Sequence, residues 1–274
     1  MDDPTPPRPP SPPSSESGGA APAAPPSRRT ATAPADRGLA WWTEGWRLFT
    51  ASPGVWIGIT VLFVVIVLLL AMIPVLGTFA TTLLGPVLAG GIISGCRALD
   101  RGGALTLGHL FAGFADRLGP LIIVGVLYLV GSLVIVVVAG GALLTVIGVS
   151  GIGALMSGGL LDAGSTVLAS IGLGAMLALL VVLLLQISLT MAYWFAPALV
   201  MLRNDEPLAA MKASFDASLV NFLPMLVYSV LGFVFAIVAT LPALLGWLVL
   251  GPVFAGSVYA SYKDIFGDGD SAEA

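Results

Sequence analysis

Few residues of this chain have the chemistry for a reaction, and they are scattered. Among its 274 residues there is one histidine, His109, and one cysteine, Cys96. A metal centre needs three or four converging His, Cys, Asp or Glu ligands, and an activated nucleophile needs a base within hydrogen-bond reach. His109 has neither a second ligand nor a nucleophile beside it; its neighbours are Leu110 and Phe111. Cys96 can close no intramolecular disulfide and reads as a compact packing residue. Gly148-Val149-Ser150-Gly151-Ile152-Gly153 has the small residues of a phosphate loop or nucleophile elbow, but not the strand-turn-helix setting that either requires. Asp162 stands between two charge-free stretches with no second carboxylate to make a dyad. The expectation is therefore a protein that is not an enzyme, with no catalytic, cofactor-binding or metal-ligating residue and no cofactor.

The elements that would position these residues are membrane spans. Hydrophobic residues make up 57% of the chain and charged ones 9%, with a mean hydropathy of +1.01; soluble domains carry roughly 25% charged residues. Past residue 40 the charges cluster and leave four charge-free stretches, 48–96, 118–161, 163–202 and 217–262. A span takes roughly 20 apolar residues, so the first and last stretches each hold two helices. Turn signals divide them at Pro74-Val75-Leu76-Gly77 and between Pro242 and Gly246. The second middle stretch holds one span, since residues 175–196 contain neither Gly nor Pro, and the first holds one because two there would put Arg203, Lys212 and Lys263 opposite the N-terminal Arg residues. Six spans result, near 54–73, 78–98, 119–140, 170–201, 221–241 and 246–265, within a membrane domain of residues 41–266. All 11 Lys and Arg then fall on one side, which the positive-inside rule makes the cytoplasm, with both termini there. The connection 140–165 reads as an extracytoplasmic loop, or else as a re-entrant segment.

The flanks differ in kind. Residues 1–40 hold 11 of the 20 prolines and balance four Arg against four acids. Such a composition cannot bury enough apolar surface to offset its ordering entropy, so a disordered cytoplasmic tail is expected; its Pro6–Pro13 run has the form of a ligand for an aromatic groove. Residues 267–274 form a short acidic tail.

Inside the body, Leu84-Gly85-Pro86-Val87-Leu88-Ala89-Gly90 recurs as Leu250-Gly251-Pro252-Val253-Phe254-Ala255-Gly256. A diverged third copy fits the middle, giving three helical hairpins that run in the same direction. Each unit meets a proline as it spans out (Pro53, Pro120, Pro224) and another as it returns (Pro86, Pro197, Pro252), and ends in a basic and acidic pair. Each opens with an amphipathic segment: Leu39, Trp42, Trp46 and Phe49; Leu107, Leu110, Phe111, Phe114 and Leu118; Leu208, Met211, Phe215 and Leu219. These segments are expected to lie in the headgroup plane, with Trp41, Trp42 and Trp46 as interfacial anchors. No predicted span carries a charge in its central part, which disfavours ion-coupled chemistry. The polar residues at depth are Gln186, Ser188, Thr190, Tyr193, Tyr228 and Ser229, with Gln186 reading as an interhelical clamp or, in second place, as a ligand.

Several strings resemble an uncharacterised family of bacterial multi-pass inner-membrane proteins. They are Gly45-Trp46-Arg47-Leu48-Phe49 with Pro53 and Trp56, Gly95-Cys96-Arg97-Ala98-Leu99-Asp100-Arg101-Gly102, His109-Leu110-Phe111-Ala112-Gly113-Phe114, Met191-Ala192-Tyr193-Trp194-Phe195-Ala196-Pro197-Ala198-Leu199-Val200, Ala210-Met211-Lys212-Ala213-Ser214-Phe215 with Asn221, and Tyr259-Ala260-Ser261-Tyr262-Lys263-Asp264-Ile265-Phe266. The resemblance covers residues 41–266 and implies a six-helix protein of the bacterial inner membrane without supplying an active site. A weaker similarity is to the membrane domains attached to some glycerophosphodiester phosphodiesterases, whose catalytic domain this chain lacks. The function expected is organisation or modulation of lipid or protein partners through the amphipathic segments; the alternative is transport of a neutral or amphipathic small molecule or lipid along a path near Gln186, Tyr193 and Pro197. The partners implied are the lipid bilayer and either a membrane-protein partner or a second copy of the chain, with no nucleic acid.

Overall fold

The computed structural model describes residues 30–156 and 164–267. All regular structure among them is helical: α1 (Arg37–Ala51), α2 (Pro53–Ala71), α3 (Leu76–Asp100), a 3-10 turn (Leu107–Phe111), α4 (Ala112–Asp116), α5 (Leu118–Met156), α6 (Gly164–Trp194), α7 (Ala196–Arg203), α8 (Pro207–Val220), α9 (Phe222–Thr240) and α10 (Trp247–Phe266). Five stretches are long and apolar enough to cross a membrane: Pro53–Ala71, Leu76–Asp100, Leu118–Val146, Gly172–Arg203 and Phe222–Thr240. α10 has the length of a span, but Lys263, Asp264 and its Ser, Tyr and Gly residues dilute its apolar character.

Local chemistry accounts for the boundaries. Pro53 begins α2, where a missing N–H costs nothing. The hairpin turns fall at the expected places, with Val75 at φ 62° between α2 and α3, and Ala243 and Leu244 at φ 51° and 69° between α9 and α10. Proline acts differently at its three return positions. Pro86 and Pro252 sit inside continuous helices, whereas the expected single helix over 170–201 breaks at Phe195, two residues before Pro197. Ser214 of α8 bridges that break: its Oγ donates to the Met191 carbonyl at 2.6 Å and accepts the Phe195 N–H at 2.9 Å.

Three expectations are corrected. Residues 140–156 are not a loop, because α5 continues to Met156. In an apolar setting the backbone can satisfy its N–H and C=O groups only within a helix, and the five glycines of 140–156, at about 1 kcal/mol each relative to alanine, are the smaller penalty. The remainder of that connection, with Asp162, lies outside the described residues. The ordered body starts before residue 41: α1 begins at Arg37 and residues 31–33 are already hydrogen-bonded to the bundle. The tail expected over 1–40 can apply only up to residue 29, which lies outside the described residues, as do residues 268–274. Finally, α1 packs inward where an interfacial face was expected, whereas Leu107, Phe111, Leu118, Leu208 and Leu219 of the other two segments remain exposed. Trp41 and Trp42 are 1% and 4% exposed, and of the large apolar side chains of α1 only Trp46, at 53%, and Leu39 face outward. The indole N–H groups explain this, since buried tryptophan needs an acceptor and finds one here: Trp41 donates to Asp264 at 2.7 Å and Trp42 to the Tyr228 carbonyl at 3.1 Å.

Each short segment lies on a long returning helix. α1 lies on α10, where Gly45 meets the Val253 carbonyl and Gly256 faces Gly45 across the contact; no side chain fits between these backbones. α4 lies on α3, with Gly113 against the Val87 carbonyl. α8 lies on α6 through Ser214. The densest core gathers here, around Trp56, Val87, Leu121, Phe195, Leu199 and Ile265.

Candidate functional site

Two cavities share the walls α3 and α10. The first is polar, with a volume of about 200 Å³ between α1, α3 and α10, and three cations face three carboxylates around it. Arg37 grips Asp264 through Nε and Nη2, both at 2.6 Å. Arg47 donates from Nε to Glu44 and from Nη2 to Asp100, both at 2.7 Å. Asp100, whose side chain is 12% exposed, also accepts from Lys263 Nζ at 2.7 Å and from the Tyr259 hydroxyl at 3.3 Å. Hydrogen bonding to Asp264 raises the Arg37 guanidinium above its ordinary value, and bonds to Glu44 and then Asp100 do the same for Arg47. The charges of this end are thus spent on joining α1, α3 and α10.

The second cavity is apolar and larger, about 730 Å³, between α2, α3 and α10. Trp56, Phe63, Ala89, Ile93, Leu248 and Phe254 are among its walls. Its hydroxyl and indole donors are satisfied within the protein: Thr60 Oγ1 donates to the Trp56 carbonyl at 2.9 Å and Trp247 Nε1 to Thr240 Oγ1 at 3.2 Å. Trp56 and Leu48 stand between the two cavities, one lining each, joined by the bond from Trp56 Nε1 to the Leu48 carbonyl at 3.0 Å.

The residues singled out by type have structural partners. His109 Nδ1 accepts the Thr106 N–H at 3.0 Å and lies 3.0 Å from the Thr106 hydroxyl, so the histidine closes a capping box on the 3-10 turn. The Thr106-x-x-His109 spacing was the signal for it. Cys96 is fully buried in the core. Gln186 Nε2 donates to the Tyr128 hydroxyl at 3.3 Å, and the Tyr128 and Tyr193 rings lie 4.7 Å apart, which clamps α5 to α6. Gly148–Gly153 lie within α5. Among the described residues no three His, Cys, Asp or Glu side chains converge as a metal ion would need. Sequence reasoning missed the pairing of Arg37 with Asp264 and of Asp100 with Arg47 and Lys263. Only the recurring basic and acidic pair at the end of each returning helix pointed toward it.

Long apolar helices with outward-facing aliphatic side chains and a charge-braced end define a helical, membrane-embedded protein. No family model matches the chain, nor does any curated protein or solved structure.

Proposed function

We propose that this is a lipid-binding protein of the bacterial inner membrane, non-enzymatic, which takes acyl chains into the apolar cavity between α2, α3 and α10. The observation that carries the reading is the cavity itself. Its volume lies in the roughly 300–1,000 Å³ range of small-molecule sites, its walls are apolar, and it is built from spans. In lipid no hydrophobic force pulls helices together to close such a gap, and an empty one forfeits the dispersion contacts of its lining. A lipid tail restores them. The test is lipid carried through purification, measured by native mass spectrometry. Ala89→Trp, which fills the cavity, should lose at least nine-tenths of the tightly held lipid; undiminished lipid would end the proposal.

The architecture proposed with it is six spans, α10 being the sixth, in three hairpin units of common direction. The support is geometric: Val87 and Val253 hold the same place in the repeated heptad, and each offers its carbonyl to a glycine of a short helix, Gly113 and Gly45. Short helix on returning helix then closes a ring, unit two on one, three on two, one on three. The distribution of Lys and Arg supports a cytoplasmic side for both termini, and reporter fusions at 204 and 268 should be inactive as periplasmic reporters. A transport path near Gln186 gains no support, because Gln186 and Tyr193 are engaged with Tyr128.

A further inference from the structure

The strap preceding α1 serves neither the span architecture nor the walls of either cavity, yet it is bonded with care. Asn221, at the junction of α8 and α9, is fully buried. Its Oδ1 accepts the Ala33 N–H at 2.7 Å, and its Nδ2 donates to the Ala31 carbonyl at 3.1 Å and to the Ala217 carbonyl at 3.0 Å. The Ala31 N–H donates in turn to the Ile265 carbonyl, at 2.9 Å, near the end of α10. A side-chain amide that recognises the backbone of residues two apart binds a chain conformation rather than a side chain.

We infer that residues 31–33 are a latch and Asn221 its keeper, holding shut the one seam of the bundle that has no covalent link, and that releasing the latch opens the way into the apolar cavity. The second half rests on the lipid-binding reading above. Two of the three contacts between short and returning helices are tied by the chain itself: residues 101–106 lead from α3 to the 3-10 turn and α4, and residues 204–206 lead from α7 to α8. Between α10 and α1 there is no such loop. α10 ends at Phe266 and α1 begins at Arg37, and the strap across Ile265 and Asn221 takes the place of the missing connection. The polar cavity lies at this seam, walled by α1, α3 and α10, and the apolar one lies beside it between α2, α3 and α10, with no wall from α1 itself. α1 is fixed at its start by the strap, Arg37 and Trp41, and runs directly into α2 through Ser52. A loosened α1 therefore moves one wall of each cavity. The keeper bears the cost of release: an undocked strap leaves a buried carboxamide with two of its bonds unmade, so the closed state is the resting one, and whatever engages the residues before 31 competes with three hydrogen bonds.

Two readouts on the full chain in bilayers of phosphatidylethanolamine and phosphatidylglycerol test this. One is amide exchange; the other is the initial rate of covalent labelling by a phosphatidylcholine bearing a photoactivatable acyl chain. Ala33→Pro removes the N–H that Asn221 accepts and leaves the bundle's own residues intact; Asn221→Leu removes the keeper. Each should speed exchange over residues 31–51 at least tenfold, leave residues 196–203 unchanged and raise the labelling rate several-fold. Unchanged exchange over 31–51 in Ala33→Pro, or faster exchange with an unchanged labelling rate in a protein that does take up the probe, would overturn the inference. If Asn221→Leu also loosens 196–203, it reports on folding and Ala33→Pro alone decides. If the wild-type protein takes no label and Ala89→Trp behaves identically, the lipid reading fails, while the latch still stands or falls on exchange.

Discussion

The two ends of the bundle are held together by different physics. At the charged end short helices lie on long ones, Trp41, Trp42 and Trp56 are buried with their N–H groups satisfied, and Asp100 joins α1, α3 and α10 through Arg47 and Lys263. Toward the hairpin turns the same long helices show aliphatic faces outward: Leu68 and Leu69 on α2, Val136 and Val137 on α5, Leu179 on α6 and Val238 on α9 are all exposed. There the helix is held by its own backbone bonds and by lipid, so a glycine such as Gly140 has nothing near it. One end is specified by contacts, the other by its solvent.

Glycine substitution should break the comparison open most widely. Gly45→Ala forces a methyl group into the Val253 carbonyl and is expected to cost about 3 kcal/mol, at the upper end of overpacking, whereas Gly140→Ala should be neutral or gain up to about 1 kcal/mol from helix propensity. Unfolding in mixed micelles measures both, and equal effects would erase the distinction drawn here. Asp100→Ala comes next. It removes one partner each from Arg47, Lys263 and the Tyr259 hydroxyl; because Arg47 and Lys263 are half-exposed the loss is about 1 kcal/mol, and it should shrink as salt is added. Smallest is the contrast within α1. Trp42→Phe keeps a ring against Tyr228 but loses the bond to its carbonyl, for about 1 kcal/mol or less, while Trp46→Ala should stay within about 0.5 kcal/mol. A larger effect at Trp46 would mean that α1 faces protein on both sides.

Hydropathy made four of the six long helices legible to within a few residues, while α5 runs well past its expected end and the helix over 170–201 is broken. The spans expected near 54–73 and 221–241 are the helices 53–71 and 222–240, because lipid leaves the backbone no alternative. Amphipathicity could not say what covers an apolar face: Trp42 reads the same whether its neighbour is a headgroup or Tyr228. Pairs such as Arg37 with Asp264 lie over 200 residues apart, and no local pattern joins them. The strap was hidden by composition, since the rule that reads a proline-rich tail as unable to fold takes no account of a carboxamide elsewhere that fits residues 31–33. His109 was legible only as an absence of chemistry, although its capping partner stood three residues away.

The unequal lengths of the apolar stretches have a consequence for the membrane around the protein. α2 and α9, with 19 residues each, rise about 28 Å and match a hydrocarbon core of about 30 Å. The Leu118–Val146 stretch, with 29 residues, rises about 44 Å. Hydrophobic mismatch there, and along the 32-residue Gly172–Arg203 stretch packed beside it, must be met by tilt or by local thickening of the bilayer. Lipids circling the protein would therefore meet a thick side and a thin side, a gradient that sorts them by chain length before any of them reaches a cavity.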